Sequence, residues 1–190
     1  AQRNFLDRLP ADWHDMMRYP EATWRFPAGG PDLQPFRDAA RRGHAAFPVD
    51  WTRGIDQRAP GTAVLRDAVL RCLVASARIR GAAGHLAGVV EDGATLLQIG
   101  ADFSRVPLNF GTAGRDDPFL SGEHAALPFL EAGFELLRAV VDCAAATPLV
   151  LRDVDELLAR FELQVVDLGV AAEAELALGA SELLSTPTDV

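Results

Sequence analysis

Three side chains in this 190-residue sequence have types and positions suited to acid–base chemistry. His85 lies within the small-residue segment 81–88, and the pair Glu123 and His124 follows Ser121, where a helix is expected to begin. An imidazole between close-packed helices can act as a general base. A helix N-terminus favours a carboxylate and a neutral imidazole. We therefore predict His85, His124 and Glu123 as catalytic residues; the alternative is ordinary core, solvent-facing or helix-start roles.

Arginine supplies the groups expected to hold a substrate. All 18 basic residues are arginine, which excludes a lysine Schiff base, a phosphate-loop lysine and a Ser–Lys pair. Arg78 lies in an otherwise apolar predicted helix, and no acidic residue is placed one helical turn from it. If Arg78 is buried, it therefore requires a counter-anion. That anion is a carboxylate of the acidic C-terminal helices or an anionic group of a ligand, both of which suit a planar guanidinium.

The segment 105–121 is predicted to be a long loop. Loops longer than about 12–15 residues in a compact domain are usually functional or disordered, and Phe110 and Phe119 favour an ordered one. We predict Arg115 and Asn109 on this loop as substrate-binding residues together with Arg78; a solvated loop is the alternative. The predicted pocket lies where this loop meets the segment 81–88.

The sequence lacks the motifs that bind common cofactors. It has no dinucleotide fingerprint, Walker loop, nucleophile elbow or HExxH motif. None of its four histidines pairs with another at helical spacing, and neither of its two cysteines has a CxxC partner. Zinc and di-iron sites are therefore not expected. We predict neither a metal nor another cofactor.

Charge and composition limit the classes of partner that this protein can have. The net charge is −9 and 49% of the residues are hydrophobic, which fits a globular single domain. Residues 111–190 hold 4 Arg against 15 acids, and this acidic balance opposes nucleic-acid binding. Charged residues interrupt the apolar runs, so no membrane span is expected. The unpaired cysteines and the lack of a signal-peptide pattern predict a cytoplasmic protein.

Hydrophobic periodicity predicts an all-α fold, a helical bundle with a Pro/Trp-rich, largely irregular N-terminal arm. Residues 1–60 hold 7 of the 12 prolines and all three tryptophans, and short helices are expected near 10–18 and 33–46. The large aromatic rings should anchor this arm on the bundle. Residues 61–190 are predicted as the bundle, within a single domain overall.

Four helices are expected in the bundle. The first runs from Thr62 through position 77, and the glycines of segment 81–88 indicate a kink or close helix packing. The second passes through 94–101, and the third follows Ser121, with Pro128 expected to kink or delay it. The last is predicted from 153 to about 184, with Asp153 and Glu156 resembling a capping box.

Two functions from different classes fit these features. The first is a cofactor-independent enzyme of lyase, cyclisation or intramolecular displacement type, acting on a small anionic substrate of bacterial secondary metabolism. His85 or His124 would be its base, and Arg78 or Arg115 would hold the anion. The second is a non-catalytic helical subunit that dimerises or completes a partner enzyme through the 153–184 seam and the small-residue face at 77–88. A homo- or hetero-oligomer is therefore predicted; a helical ligand sensor is a weaker third possibility.

Overall fold

The computed structural model describes residues 9–10, 12–18, 32–43, 68–104 and 122–164, and the structural statements below concern these residues. They form helices and no strand, which confirms the all-α prediction. The helices are α1 (Trp13–Arg18), α2 (Gln34–Arg41), α3 (Leu70–Ala82), α4 (Leu86–Ser104), α5 (Gly122–Val141) and α6 (Pro148–Gln164). Helix α4 is central, since it packs against α2, α3, α5 and α6.

Glycines bring the backbones of α4 and α5 close together. A Cβ atom on Gly133 would lie 2.8 Å from Leu97 Cδ2 and 3.1 Å from the carbonyl oxygen of Gly93. A Cβ on Gly100 would lie 2.6 Å from Leu130 Cδ2. No side chain fits at these distances without displacing its neighbour, so glycine permits the crossing and Leu97 fills the space beside it.

The small-residue segment 81–88 ends one helix and starts the next. Gly84 has φ +78°, the left-handed conformation that glycine adopts without strain. Its N–H donates to Gly81 O at 2.9 Å, and the His85 N–H donates to Arg80 O at 2.8 Å. These two bonds form a Schellman motif, which satisfies the last carbonyls of α3. The segment is thus a helix-ending turn, where the sequence had predicted a kink or close helix packing.

Helix α6 begins five residues before the predicted capping box. Pro148 is its first residue, a position where the missing N–H costs nothing. The Val150 N–H donates to Thr147 Oγ1 at 3.4 Å, so Thr147 caps the helix. The capping-box prediction is therefore wrong, because Asp153 lies inside α6. Helix α5 also continues past Pro128 to Val141.

Parts of the N-terminal arm belong to the core. Helices α1 and α2 occur within the ranges predicted for short helices, and Trp13, Met16 and Leu33 are buried with the bundle residues. The other two tryptophans, Trp24 and Trp51, lie outside the described residues, as does the predicted helix beyond 164. Among the described helices, none combines the length and the apolar character that a membrane span requires.

Candidate functional site

A buried ion pair joins α2 to α4. The Arg37 side chain donates from Nε to Asp92 Oδ1 at 2.8 Å, and Nη2 lies 2.8 Å from the same oxygen. Nη2 also donates to Ser76 Oγ of α3 at 3.0 Å. Arg37 is 7% exposed and Asp92 is fully buried. The guanidinium therefore connects three helices inside the protein.

Glu91, the residue before Asp92, forms ion pairs with two further arginines. Arg41 Nη2 donates to Glu91 Oε1, and Arg80 Nη1 donates to Glu91 Oε2 at 3.0 Å. Arg80 Nη1 also donates to Gly88 O at 3.1 Å and lies 3.7 Å from Asp92 Oδ2. We call Arg37, Arg41, Arg80, Glu91 and Asp92 the ion-pair network.

The two adjacent carboxylates of the network have opposite pKa shifts. Burial raises the pKa of Asp92, and the hydrogen bonds from Arg37 and Ser76 only oppose that shift. Burial also acts to raise the pKa of Glu91, but the hydrogen bonds from Arg80 and Arg41 outweigh it and hold this pKa below its usual value. Glu91 is therefore ionised at neutral pH and neutralises the arginines around it.

A cleft of about 250 Å³ lies beside the network, between α2, α4 and α6. Its charged lining consists of three arginines, Arg37, Arg41 and Arg160, and one carboxylate, Glu91. Apolar side chains make up most of the remaining wall, with two polar ones: Ala40, Ala94, Leu97, Leu157 and Phe161, together with Thr95 and Gln98. The cleft therefore offers guanidinium groups beside a small apolar surface, a combination that suits an organic anion.

The helical pattern contains a signal for this site that the sequence analysis missed. Arg37 follows the buried Leu33 by four residues, so both lie on one face of α2. Asp92 follows the buried Val89 by three residues and precedes the buried Leu96 by four. A charge on an apolar helix face needs a buried counter-charge. The same reasoning, applied above only to Arg78, would have singled out Arg37 and Asp92.

Most of the predicted site residues lie outside what the structure describes. Asn109 and Arg115 fall in the undescribed segment 105–121, and only the backbone of Glu123 and His124 is described, in the first turn of α5. His85 is exposed in the turn between α3 and α4. Neither His85 nor Arg78 lines the cleft. The predicted catalytic and binding roles of these six residues remain predictions.

Arg78 lines two other surface depressions. One, of about 860 Å³, lies between α1, α3 and α5 and includes Trp13, His14 and Glu131. The other, of about 160 Å³, lies between α3, α4 and α5 and includes Cys143. Glu131 of α5 lines the larger depression together with Arg78; whether the counter-anion predicted for Arg78 is a protein carboxylate or a ligand remains a prediction.

Comparison with protein-family models, curated proteins and solved structures finds no match to this chain. Within the ranges that the structure describes, no three His, Cys, Asp or Glu side chains come together in a way that could hold a metal ion.

Proposed function

We propose that this protein acts in the cytoplasm and binds a small organic anion in the cleft between α2, α4 and α6. The observation that carries the proposal is the convergence of three arginines from two helices on a partly apolar cleft. An anionic group would contact Arg41 and Arg160, and an apolar body would pack on Leu97, Leu157 and Phe161, which share that lining. A guanidinium binds carboxylate, sulfonate or phosphate through two parallel hydrogen bonds.

The size of the cleft limits the ligand. Its volume of about 250 Å³ is below the roughly 300–1,000 Å³ of typical small-molecule sites. A water takes about 30 Å³ of the liquid, so the cleft has room for about eight groups of that size. A single ring or a short branched chain with one acidic group satisfies this limit.

As an enzyme, the protein would catalyse a lyase, cyclisation or intramolecular displacement reaction on the bound anion. Such reactions can depend on an arginine that holds the anion and a base, without metal or nucleotide. Glu91 is the carboxylate of the described cleft lining and would be the base in this reaction, but the hydrogen bonds from Arg80 and Arg41 lower its pKa and so weaken it as a base. The bases predicted from the sequence were His85, which does not line the cleft, and His124, whose side chain lies outside the described residues.

Titration with benzoate tests the binding proposal. We expect calorimetry to show saturable binding of benzoate. Inorganic sulfate, which lacks an apolar body, should bind more weakly, and benzyl alcohol, which lacks the charge, should not bind. Arg41→Gln and Arg160→Gln should each weaken benzoate binding about tenfold or more, since a charge-assisted hydrogen bond contributes about 1.5–3 kcal/mol. Arg152→Gln, on the exposed side of α6, is the matched control and should bind as the unaltered protein does. Failure of benzoate and benzenesulfonate to bind would reject the proposal.

A second candidate function, a self-associating helical subunit, is favoured by one face of α5. Leu127, Phe134 and Val141 recur every seven residues and are 49%, 44% and 53% exposed. This spacing is typical of a helix that packs along a second helix. The seam predicted in the last helix is less available, since its residues Val154 and Phe161 are buried in this chain.

We propose a second copy of this chain as the partner of that face. In an antiparallel pairing centred on Phe134, Glu131 of one protomer lies next to Arg138 of its partner, because the two residues flank Phe134 at −3 and +4. Both side chains are exposed on α5. The pairing therefore brings opposite charges together twice, as in a symmetric dimer.

Light scattering tests this dimer. We expect a mass that rises with concentration toward twice that of the 20.4 kDa chain. The double variant Leu127→Glu/Val141→Glu should remain monomeric. Leu149→Glu changes an apolar residue of α6 that is 58% exposed and lies off this face, so it should leave the dimer intact. A monomer mass for the unaltered protein at all concentrations would exclude the dimer.

A further inference from the structure

We infer that Glu91 is an internal competitor of the ligand: its carboxylate holds the Arg41 guanidinium that the ligand's anionic group would use. This inference rests on the proposed anion cleft and names the group that the ligand displaces. Glu91 and Arg41 both line the cleft, and Arg41 Nη2 donates directly to Glu91 Oε1.

The charges around the cleft show why displacement is needed. Arg37, Arg41 and Arg80 face three carboxylates, those of Asp38, Glu91 and Asp92, within hydrogen-bond or ion-pair distance. Three positive charges are thus matched by three negative ones. A free anion gains little from a neutral cluster unless it takes the place of one carboxylate. Arg160 of α6 then adds a positive charge from the opposite wall.

Position and burial together identify Glu91 as the carboxylate that gives up its place, since Asp38, although more exposed, does not line the cleft. Asp92 is fully buried against Arg37, so separating that pair would leave a desolvated charge inside the protein. Glu91 is 33% exposed and Arg41 is 56% exposed. Their contact can open into water at small cost, as for other partly exposed pairs. Glu91 Oε2 lies 3.0 Å from Arg80 Nη1 and 3.8 Å from Arg37 Nε, so Glu91 keeps two cationic partners after releasing Arg41.

This exchange specifies the class of ligand. Glu91 occupies only Nη2 of Arg41, since Nη1 donates to Asp38, and a carboxylate that replaces Glu91 accepts a charge-assisted hydrogen bond from that Nη2. Leu97, Leu157 and Phe161 of the cleft lining then require a compact apolar body next to the acidic group. The ligand class is therefore a small monocarboxylate, such as an aromatic or branched aliphatic acid, for which a sulfonate of similar shape is a substitute.

Removal of the competing carboxylate tests the inference. We expect Glu91→Gln to bind benzoate up to about fivefold more tightly than the unaltered protein, because benzoate no longer has to break the partly exposed ion pair between Glu91 and Arg41. A lining residue that helps to bind the ligand would show the opposite change. Asp155→Asn, which removes an exposed carboxylate of α6 outside the cleft, is the control for net charge and should leave the affinity within about twofold.

A second variant protects the test against a folding defect of Glu91→Gln. Asp38 accepts a hydrogen bond from Arg41 Nη1 at 2.6 Å and is half-exposed, so Asp38→Asn should fold normally and also tighten benzoate binding. Far-UV circular dichroism and a thermal melt report the folding of each variant.

The outcomes separate this inference from the proposed function. If benzoate binds the unaltered protein and Arg41→Gln weakens that binding, but neither Glu91→Gln nor Asp38→Asn tightens it, the competitor role is wrong and the anion cleft stands. If benzoate binds none of the proteins, the proposed function fails. Tighter binding by both variants, with no change in the Asp155→Asn control, supports the inference.

Discussion

The Arg37 guanidinium reaches across 55 positions of sequence to the Asp92 carboxylate, with Nε and Nη2 each 2.8 Å from Oδ1. Both groups are buried, so the pair fixes the short helix α2 of the N-terminal region against the middle of α4. Because Arg41 follows Arg37 by one helical turn, the Arg37–Asp92 ion pair also places Arg41 next to Glu91. One buried ion pair thus positions the charged wall of the cleft.

Removing one partner of this pair should destabilise the protein strongly. We expect Arg37→Met or Asp92→Leu to lower the free energy of unfolding by about 3–5 kcal/mol, because each leaves a buried charge without its partner. The double variant Arg37→Met/Asp92→Leu should cost less than either single change, since no uncompensated charge remains. Urea denaturation measures all three. Additive losses in the double variant would show that the two charges act independently.

The glycine crossing of α4 and α5 gives a second prediction. A methyl group at Gly133 would lie 2.8 Å from Leu97 Cδ2 and 3.1 Å from the backbone oxygen of Gly93, so the helices would have to separate. We expect Gly133→Ala to destabilise the protein by about 1–3 kcal/mol. Gly81→Ala is the matched control. Its added methyl would meet only Val89 Cγ2 at 3.5 Å, so the helix propensity of alanine should make it neutral or stabilising by up to about 1 kcal/mol. Equal losses in the two variants would contradict the close crossing.

The pKa of Glu91 predicts a pH-dependent contribution to stability. Because its ion pairs hold this pKa below the ordinary value of 4.5, the ionised side chain stabilises the folded state above that pH. The contribution is lost as the pH falls through the lowered pKa. The difference in unfolding free energy between the unaltered protein and Glu91→Gln should therefore shrink on acidification below about pH 4.5. Asp92, whose pKa is raised, contributes with the opposite sign and is present in both proteins. A difference that stays constant from pH 7 to pH 3 would contradict the role of these ion pairs.

The two cysteines should differ in reactivity. Burial raises the pKa of the Cys72 thiol in α3 to about 11, so little thiolate forms at pH 8. Cys143 lies in the turn between α5 and α6 and is half-buried. We expect iodoacetamide at pH 8 to label Cys143 in the folded protein and both cysteines in urea, as read by peptide mass spectrometry. Labelling of Cys72 at the same rate in the folded protein would contradict its burial.

The sequence by itself determined the helical class and much of the local structure. Apolar residues at helical spacing identified α3, α4 and α5, and short helices were expected where α1 and α2 lie. The beginning of α6 was misread, because Pro148 at the first helical position is as strong a signal as the acidic pair at Asp153 and Glu156. Such features depend on neighbours within a few residues, which is why sequence patterns report them.

The tertiary structure alone decided which charged groups meet. Between Arg37 and Asp92 lie the second half of α2, an undescribed segment, the whole of α3 and the beginning of α4, and no spacing rule connects the two residues. Likewise, glycines at 81–88 and at 93, 100 and 133 are alike in sequence, yet only the second set lies where two backbones cross. Burial of a charge and close approach of helices depend on how whole helices pack. Local periodicity gives the face of each helix but not the partner that the face will meet.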